Sequence, residues 1–258
     1  MRAVPDDEPF APPDAALRDP ERLAALGATG LSAERPSEVL DHVARVAARL
    51  LDAPVALISL VDDERQVFAG RASERGPIGT RRQTPLSHSL CQYVVADGAP
   101  VVVADAVHDR RTRDHPAVRD LEVRAYAGVP LTTADGVTLG VLCAIDDAPH
   151  AWAPDDVARL RELASVAAAE LRRRIAEAAL HESQERLALI FARAAVGLSE
   201  VGPDGRFLRV NDELCRIVGH TPGEMAQLTV ADVTHPDDVP RSVNAVAAVL
   251  AEGGSVRL

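Results

Sequence analysis

Lysine is missing from this chain: all 28 residues in its Lys-plus-Arg count are arginine, a bias of the kind a GC-rich coding sequence produces. Aromatic side chains are scarce too, at 3% of 258 residues, so Val, Leu and Ala must do most of the packing in the cores that a 47% apolar composition supports. No apolar run approaches the roughly 20 residues of a bilayer span, because Arg, Asp or Glu interrupts each candidate. The N-terminus, MRAVPDDEPFAPPDAALRD, has no apolar core and is no signal peptide; its acidic, proline-rich opening predicts a disordered tail over residues 1–14. Together these absences predict a cytoplasmic protein with no membrane partner. Surplus basic charge is lacking as well. A net charge of −11 argues against nucleic acid as a partner, and Arg110, Arg111 and Arg113 are mixed with Asp109 and Asp114. Only three cysteines occur, Cys91, Cys143 and Cys215, far apart and without a CxxC. That spacing indicates neither a disulfide framework nor a zinc site, and buried thiols are the expectation.

The length allows one large or two ordinary domains. Helices are predicted over 15–30 and 36–52, the second with Pro36 in its first turn and one apolar face formed by Val39, Val43, Val46, Ala47 and Leu50. Strands follow at 54–62 and 65–71; PVALISLVD is apolar at nearly every position, so both faces of its sheet should be covered. Residues 87–97 read as a helix, 100–104 as a short strand and 106–123 as a polar loop. RAYAGVPLTTADGVTLGVLCAID, at 124–146, reads as two strands joined at Asp135-Gly136, a dipeptide suited to a hairpin because Gly tolerates positive φ. An antiparallel sheet of five or six strands results.

A long helix is predicted from Pro154 to about residue 192, with Asp155 and Asp156 in its first turn where carboxylates complement the helix dipole. Its apolar positions (Leu160, Ala164, Ala167, Leu171, Ile175, Ala178) step by threes and fours, which fits a two-stranded coiled-coil seam as well as a face packed on its own domain. Residues 194–211 read as a second hairpin turning at Pro-Asp-Gly, followed by a helix and by Thr221-Pro222-Gly223-Glu224, where Thr221 caps and Glu224 closes a capping box.

The run at 124–146, together with PLSHSLCQYVVADGAPVVVADAVHDRRTRDHPAV at 85–118, closely resembles the GAF domain, a small-molecule-sensing module of bacterial signalling proteins. The run VGxxxxGPDGRFLRVNDELCRIVGHTPGEM with DVTHPDD downstream is very similar to the first half of a PAS domain, and the chain stops where the third strand of that fold should start. The resemblance implies an α+β fold divided into a GAF domain over 15–170, a coiled-coil-like linker over 171–192 and a C-terminally truncated PAS domain over 193–258. It also implies a pocket between the sheet, the helix at 87–97 and the loop at 106–123. Carried over by motif, the pocket lining is Ser89, Cys91, Tyr93, Asp105, Arg124, Tyr126 and Cys143. Arg124 and Asp105 would orient a small polar ligand there; the alternative is that both belong to ion pairs pinning the loop.

Cofactor chemistry fits less well. Phytochrome-like relatives attach a bilin through a cysteine followed by histidine, whereas His88 precedes Cys91 by three residues. The sulfoxide-reducing branch of the family uses clustered cysteines, and the third member of that cluster is missing. Neither His88 nor His115 has a second ligand at HxxxH or HxxE spacing, which disfavours haem and metal. The flavin motif with its reactive cysteine is absent. His181-Glu182 lacks the Leu-Arg-x-Pro that a phosphoacceptor box requires. In the PAS segment Asn211 and His235 read as caps. The expectation is a dimeric sensory module for an unknown small ligand, acting on a downstream output domain or response regulator, first of all a histidine kinase. Its alternatives are a serine phosphatase or nucleotide cyclase input module, a thiol-based sulfoxide reductase using Cys91 and Cys143, and a ligand-free dimerisation scaffold.

Overall fold

The structure, a computed structural model, describes residues 10, 14–72, 78, 81–133 and 135–241. Most of the 1–14 tail and the expected third PAS strand lie outside the described residues. The chain divides into two compact units, Met1–Ala179 and Leu180–Leu258. No helix of the described residues is long and apolar enough to cross a membrane.

The predicted 15–30 helix is two helices, α1 (Asp14–Leu17) and α2 (Pro20–Ala28), because Pro20 cannot continue a helix and instead starts one. Asp19 caps α2, its Oδ1 accepting from the Glu21 N–H at 2.8 Å. The buried Arg22 then donates to the Leu17 and Val61 carbonyls, each at 2.6 Å, tying the N-terminal helices to the sheet. Helix α3 (Glu38–Leu50) is capped by Ser37, with Pro36 before the cap rather than in the first turn. Its buried face is Leu40, Val43, Ala44 and Ala47, rotated from the predicted one; Val39 is 51% exposed. The small residues bring α3 close to the sheet: a Cβ on Gly70 would lie 2.8 Å from that of Leu40, so only glycine fits there.

Strands β1 (Val55–Val61), β2 (Arg65–Ala72), β3 (Gln83–Pro85), β4 (Val101–Val103), β5 (Ala125–Thr132) and β6 (Thr138–Asp146) form one antiparallel sheet in the order β3-β2-β1-β6-β5-β4. Every residue of β1 is buried, since both faces of the sheet are covered. On one face Ile58, Leu142 and Val129 pack with α3 and with Leu160, Ala164, Ala167 and Leu171. On the other, Leu57, Val141 and Tyr126 pack under helix α4 (Cys91–Asp97) and the connection that follows β4. That connection, read from the sequence as a loop, contains helix α5 (Pro116–Asp120), whose Pro116 suits a first helical position. At the β5–β6 turn Gly136 has φ +85°, as the Asp-Gly dipeptide predicted.

Helix α6 runs unbroken over Pro154–Arg193. The second unit contains the antiparallel pair β7 (Ser199–Val201) and β8 (Phe207–Val210), then helices α7 (Asp212–Val218), α8 (Pro222–Met225) and α9 (Val230–Val233). The architecture is α+β throughout.

Candidate functional site

The sequence brings three polar or sulfur-bearing side chains to one face of the sheet by strand alternation. Leu57 of β1 pairs with Cys143 of β6, which puts Ser59, two residues along, on the same face. Cys143 is also directly opposite Gly128 of β5, two residues from Tyr126. Because Gly128 has no side chain, the Tyr126 ring lies across it; a Cβ there would stand 2.6 Å from the Tyr126 Cζ. The hydroxyl thereby reaches helix α4 and donates to the Cys91 Sγ at 3.3 Å. The Cys91 and Cys143 sulfurs are 4.0 Å apart.

These groups line a small cavity with Leu57, Gln66, Ile78, His88, Leu90, Ala117, Val123 and Ile145, which leaves about 10 Å³ for the centre of a water molecule. That is room for one water at most. Gln66 spans its polar edge, accepting from the Ser89 hydroxyl and donating to the Thr84 hydroxyl, each at 2.7 Å. The Ser59 hydroxyl is fully buried and has no hydrogen-bond partner among the described residues.

Of the residues carried over by motif, Cys91, Tyr126 and Cys143 line the cavity. Ser89 backs it through Gln66. Tyr93 turns away, stacking on Phe10 at 4.2 Å between ring centroids and meeting His115 edge-on. Arg124 and Asp105 lie outside the lining as a two-bond ion pair, Nε to Oδ1 at 2.6 Å and Nη2 to Oδ2 at 3.2 Å. Arg124, with help from His108, holds the Asp105 carboxyl well below the usual carboxylate range. Their place at the root of the β4–β5 connection, where the Ala106 N–H also bonds the Arg124 carbonyl at 2.7 Å, is that of a loop pin.

Sequence reading missed Ser59 and Gln66. Ser59 had a signal, as the one polar residue within VALISLV; Gln66 had none. In the second unit Asn211 caps α7 by accepting from the Leu214 N–H at 3.0 Å, and Thr221 and Glu224 form a capping box on α8. The Asp237 N–H reaches His235 Nδ1 at 3.4 Å. Among the described residues no group of three or more His, Cys, Asp or Glu side chains is placed to hold a metal ion.

His115 provides a pH readout of the site. Its Nδ1 accepts from the Ala117 N–H at 3.2 Å, capping α5, which requires the neutral ring. Burial first, then the charges of His88 and Arg119, push its pKa from 6.5 down to about 4. A base whose pKa is depressed on folding binds its proton more readily in the unfolded chain. The contribution of His115 is therefore complete above pH 6.5 and is lost as pH falls towards 4. We expect the His115 ring to titrate by NMR near pH 4, and His115→Asn, which keeps a cap, to flatten the stability loss in that window; a ring titrating near 6.5 would contradict the placement.

A GAF domain family model matches residues 35–171, and a PAS fold model matches residues 207–258. A cyclic di-GMP phosphodiesterase of Pseudomonas aeruginosa is 39% identical over 153 residues, covering 58% of this chain and 25% of that protein. The chain thus spans about a quarter of the length of that relative. Among solved structures, the blue-light-absorbing form of the Thermosynechococcus elongatus PixJ GAF domain aligns with a TM-score of 0.45 at 18% identity, over 67% of this chain and 96% of that one. A free methionine-R-sulfoxide reductase from Neisseria meningitidis aligns with a TM-score of 0.42 at 23% identity, over 68% and 98%. Neither similarity bears on what this chain binds.

Proposed function

The chain belongs to the GAF domain family, and on that premise we propose that it is a sensory input module whose cavity state is passed to an attached output domain through α6. The observation that carries this reading is the two-sided use of one sheet. Cys143 and Ile145 line the cavity, while Leu142 and Ala144, alternating with them on the same strand, belong to the core that includes the packed part of α6. A ligand that opens the cavity must displace β6 or α4, and close packing transmits a displacement of β6 to Leu160, Ala164 and Leu171. The proposed organisation is a GAF domain over 15–170, a helical linker over 171–192 and a PAS segment over 193–258. Native mass spectrometry of the purified chain tests the ligand: a small molecule released on denaturation is the expected result. Bare protein, with no thermal shift on adding cell metabolites, would leave the scaffold reading in its place.

Two outputs are proposed. The phosphodiesterase relative, similar over 153 residues, favours turnover of cyclic di-GMP; the GAF–PAS resemblance alone favours a histidine kinase. Assaying the complete open reading frame for cyclic di-GMP hydrolysis and for autophosphorylation separates them.

A parallel homodimer is part of the same proposal. Leu171 is 2% exposed in the core of its own unit, so it is not free to serve a seam. Leu180 and Leu187, one heptad apart and 59% and 64% exposed, have the spacing that a partner helix would cover. We expect Leu180→Glu with Leu187→Glu to shift sedimentation from dimer to monomer while the chain stays folded, and Leu171→Glu to unfold the first unit instead. A dimer that survives the double change places the interface elsewhere.

A further inference from the structure

We propose that Cys91 and Cys143 are a peroxide-responsive thiol pair, closed by a small hydroperoxide into an intramolecular disulfide, with Cys91 the attacking sulfur and Ser59 and Tyr126 the hydroxyls that hold the oxidant and the developing charge. This is an oxidative input in its own right and does not depend on the ligand proposed above.

Geometry assigns the roles. Cys91 is the sulfur that accepts a hydrogen bond from the Tyr126 hydroxyl, at 3.3 Å, and it stands 4.0 Å from the Cys143 sulfur. The adjacent thiol and the Tyr126 hydroxyl favour the Cys91 thiolate, while the Cys91 sulfur and burial push the Cys143 thiol well above its usual range. The buried Ser59 hydroxyl makes no hydrogen bond of ordinary geometry among the described residues, and it lines the cavity together with both sulfurs. A small oxygen species between them would satisfy it. The 10 Å³ free space also sets selectivity, since a hydroperoxide can enter with slight opening of α4 whereas a bulky disulfide oxidant cannot.

The chemistry balances in two steps. The Cys91 thiolate attacks one peroxide oxygen; an S–O bond forms, the O–O bond breaks, and the departing alkoxide or hydroxide takes up the proton Cys91 had released. The Cys143 sulfur then attacks the sulfur of the Cys91 sulfenic acid; an S–S bond forms, the S–O bond breaks, and hydroxide leaves as water with the Cys143 proton. Two thiols are oxidised, one peroxide is reduced, and the products are a disulfide, an alcohol or water, and water. Closing the gap from 4.0 Å to a bond of about 2.05 Å draws the start of α4 towards β6.

The test uses the whole chain and hydrogen peroxide, with Cys215 as internal control because it belongs to the second unit. Alkylation after denaturation should fall from three free thiols to one, and non-reducing peptide mapping should show residues 83–110 joined to 125–159. Cys143→Ser should trap a dione-reactive sulfenic acid on Cys91. Wild-type thiol counting stands even if that variant does not fold. Oxidised glutathione should leave all three thiols free. Three free thiols after peroxide, oxidation confined to Cys215, or closure by free methionine sulfoxide but not by peroxide would each overturn the proposal.

Discussion

Gly128→Ala should cost the first unit roughly 1–3 kcal/mol, and Gly128→Val more, as overpacking of a filled core does. The cause is not backbone freedom but space, because the added Cβ would enter the ring of Tyr126, which is 1% exposed. Tyr126 would have to leave its rotamer, and its hydroxyl would leave Cys91. Urea denaturation measures the loss, and a double-mutant cycle assigns it. Gly128→Ala combined with Tyr126→Leu should recover a good part of the stability lost by adding the two single effects. Additive effects would mean that the collision is with something other than Tyr126.

The second unit should unfold well before the first. Its buried apolar core among the described residues consists of Phe207, Cys215 and Met225, beneath a two-stranded sheet. A two-stranded ribbon is marginal in water, and its edges expose unpaired backbone groups. The first unit has six strands covered on both faces. Amide hydrogens of β7, β8 and α7 are therefore expected to exchange at least about a hundredfold faster than those of β1 and β6, a gap of nearly 3 kcal/mol in opening free energy. Thermal unfolding should show two transitions. One cooperative transition with equal protection throughout would mean that the second unit gains stability from a swapped strand or a partner chain.

Much of the fold was legible because it rests on short-range signals. The unbroken apolar run of β1 announced a sheet covered on both faces, Asp-Gly announced the β5–β6 turn, and Thr221 with Glu224 announced a capping box. Errors arose where neighbouring signals competed. Pro20 split a helix that composition alone would continue, and the α3 face was misphased because the apolar Val39 and Leu50 lie on its exposed side while Leu40 and the weakly apolar Ala44 are buried. Strand β3 was missed because three residues ending in proline have no pattern to read. Leu160, Ala164, Ala167 and Leu171 suited a seam and a core face equally well, and only tertiary packing decided for the core.

The site was legible in part for a different reason. Motif position located the helix and strands around the cavity, so the two thiols and Tyr126 were found. It could not say which polar side chains turn inward. Arg124 and Asp105 are charged and had the right address, yet full pairing at the loop root satisfies them better than a cavity would. Gln66 is recognisable only once Ser89 and Thr84 stand on either side of it.

Asn211 uses all of its amide. It accepts from the N–H groups of Leu198 and Leu214 and donates to the carbonyls of Phe191 and Val196, at 2.9–3.1 Å. Phe191 is two residues from the end of α6, where the final carbonyls have no partner within the helix. The stop of a 40-residue helix is therefore written 20 residues downstream, by a side chain that is in position only when the hairpin before it has formed. Loss of the hairpin would leave the last turn of α6 without that partner, and each residue frayed there would change the helix's extension by about 1.5 Å and its rotational phase by about 100°.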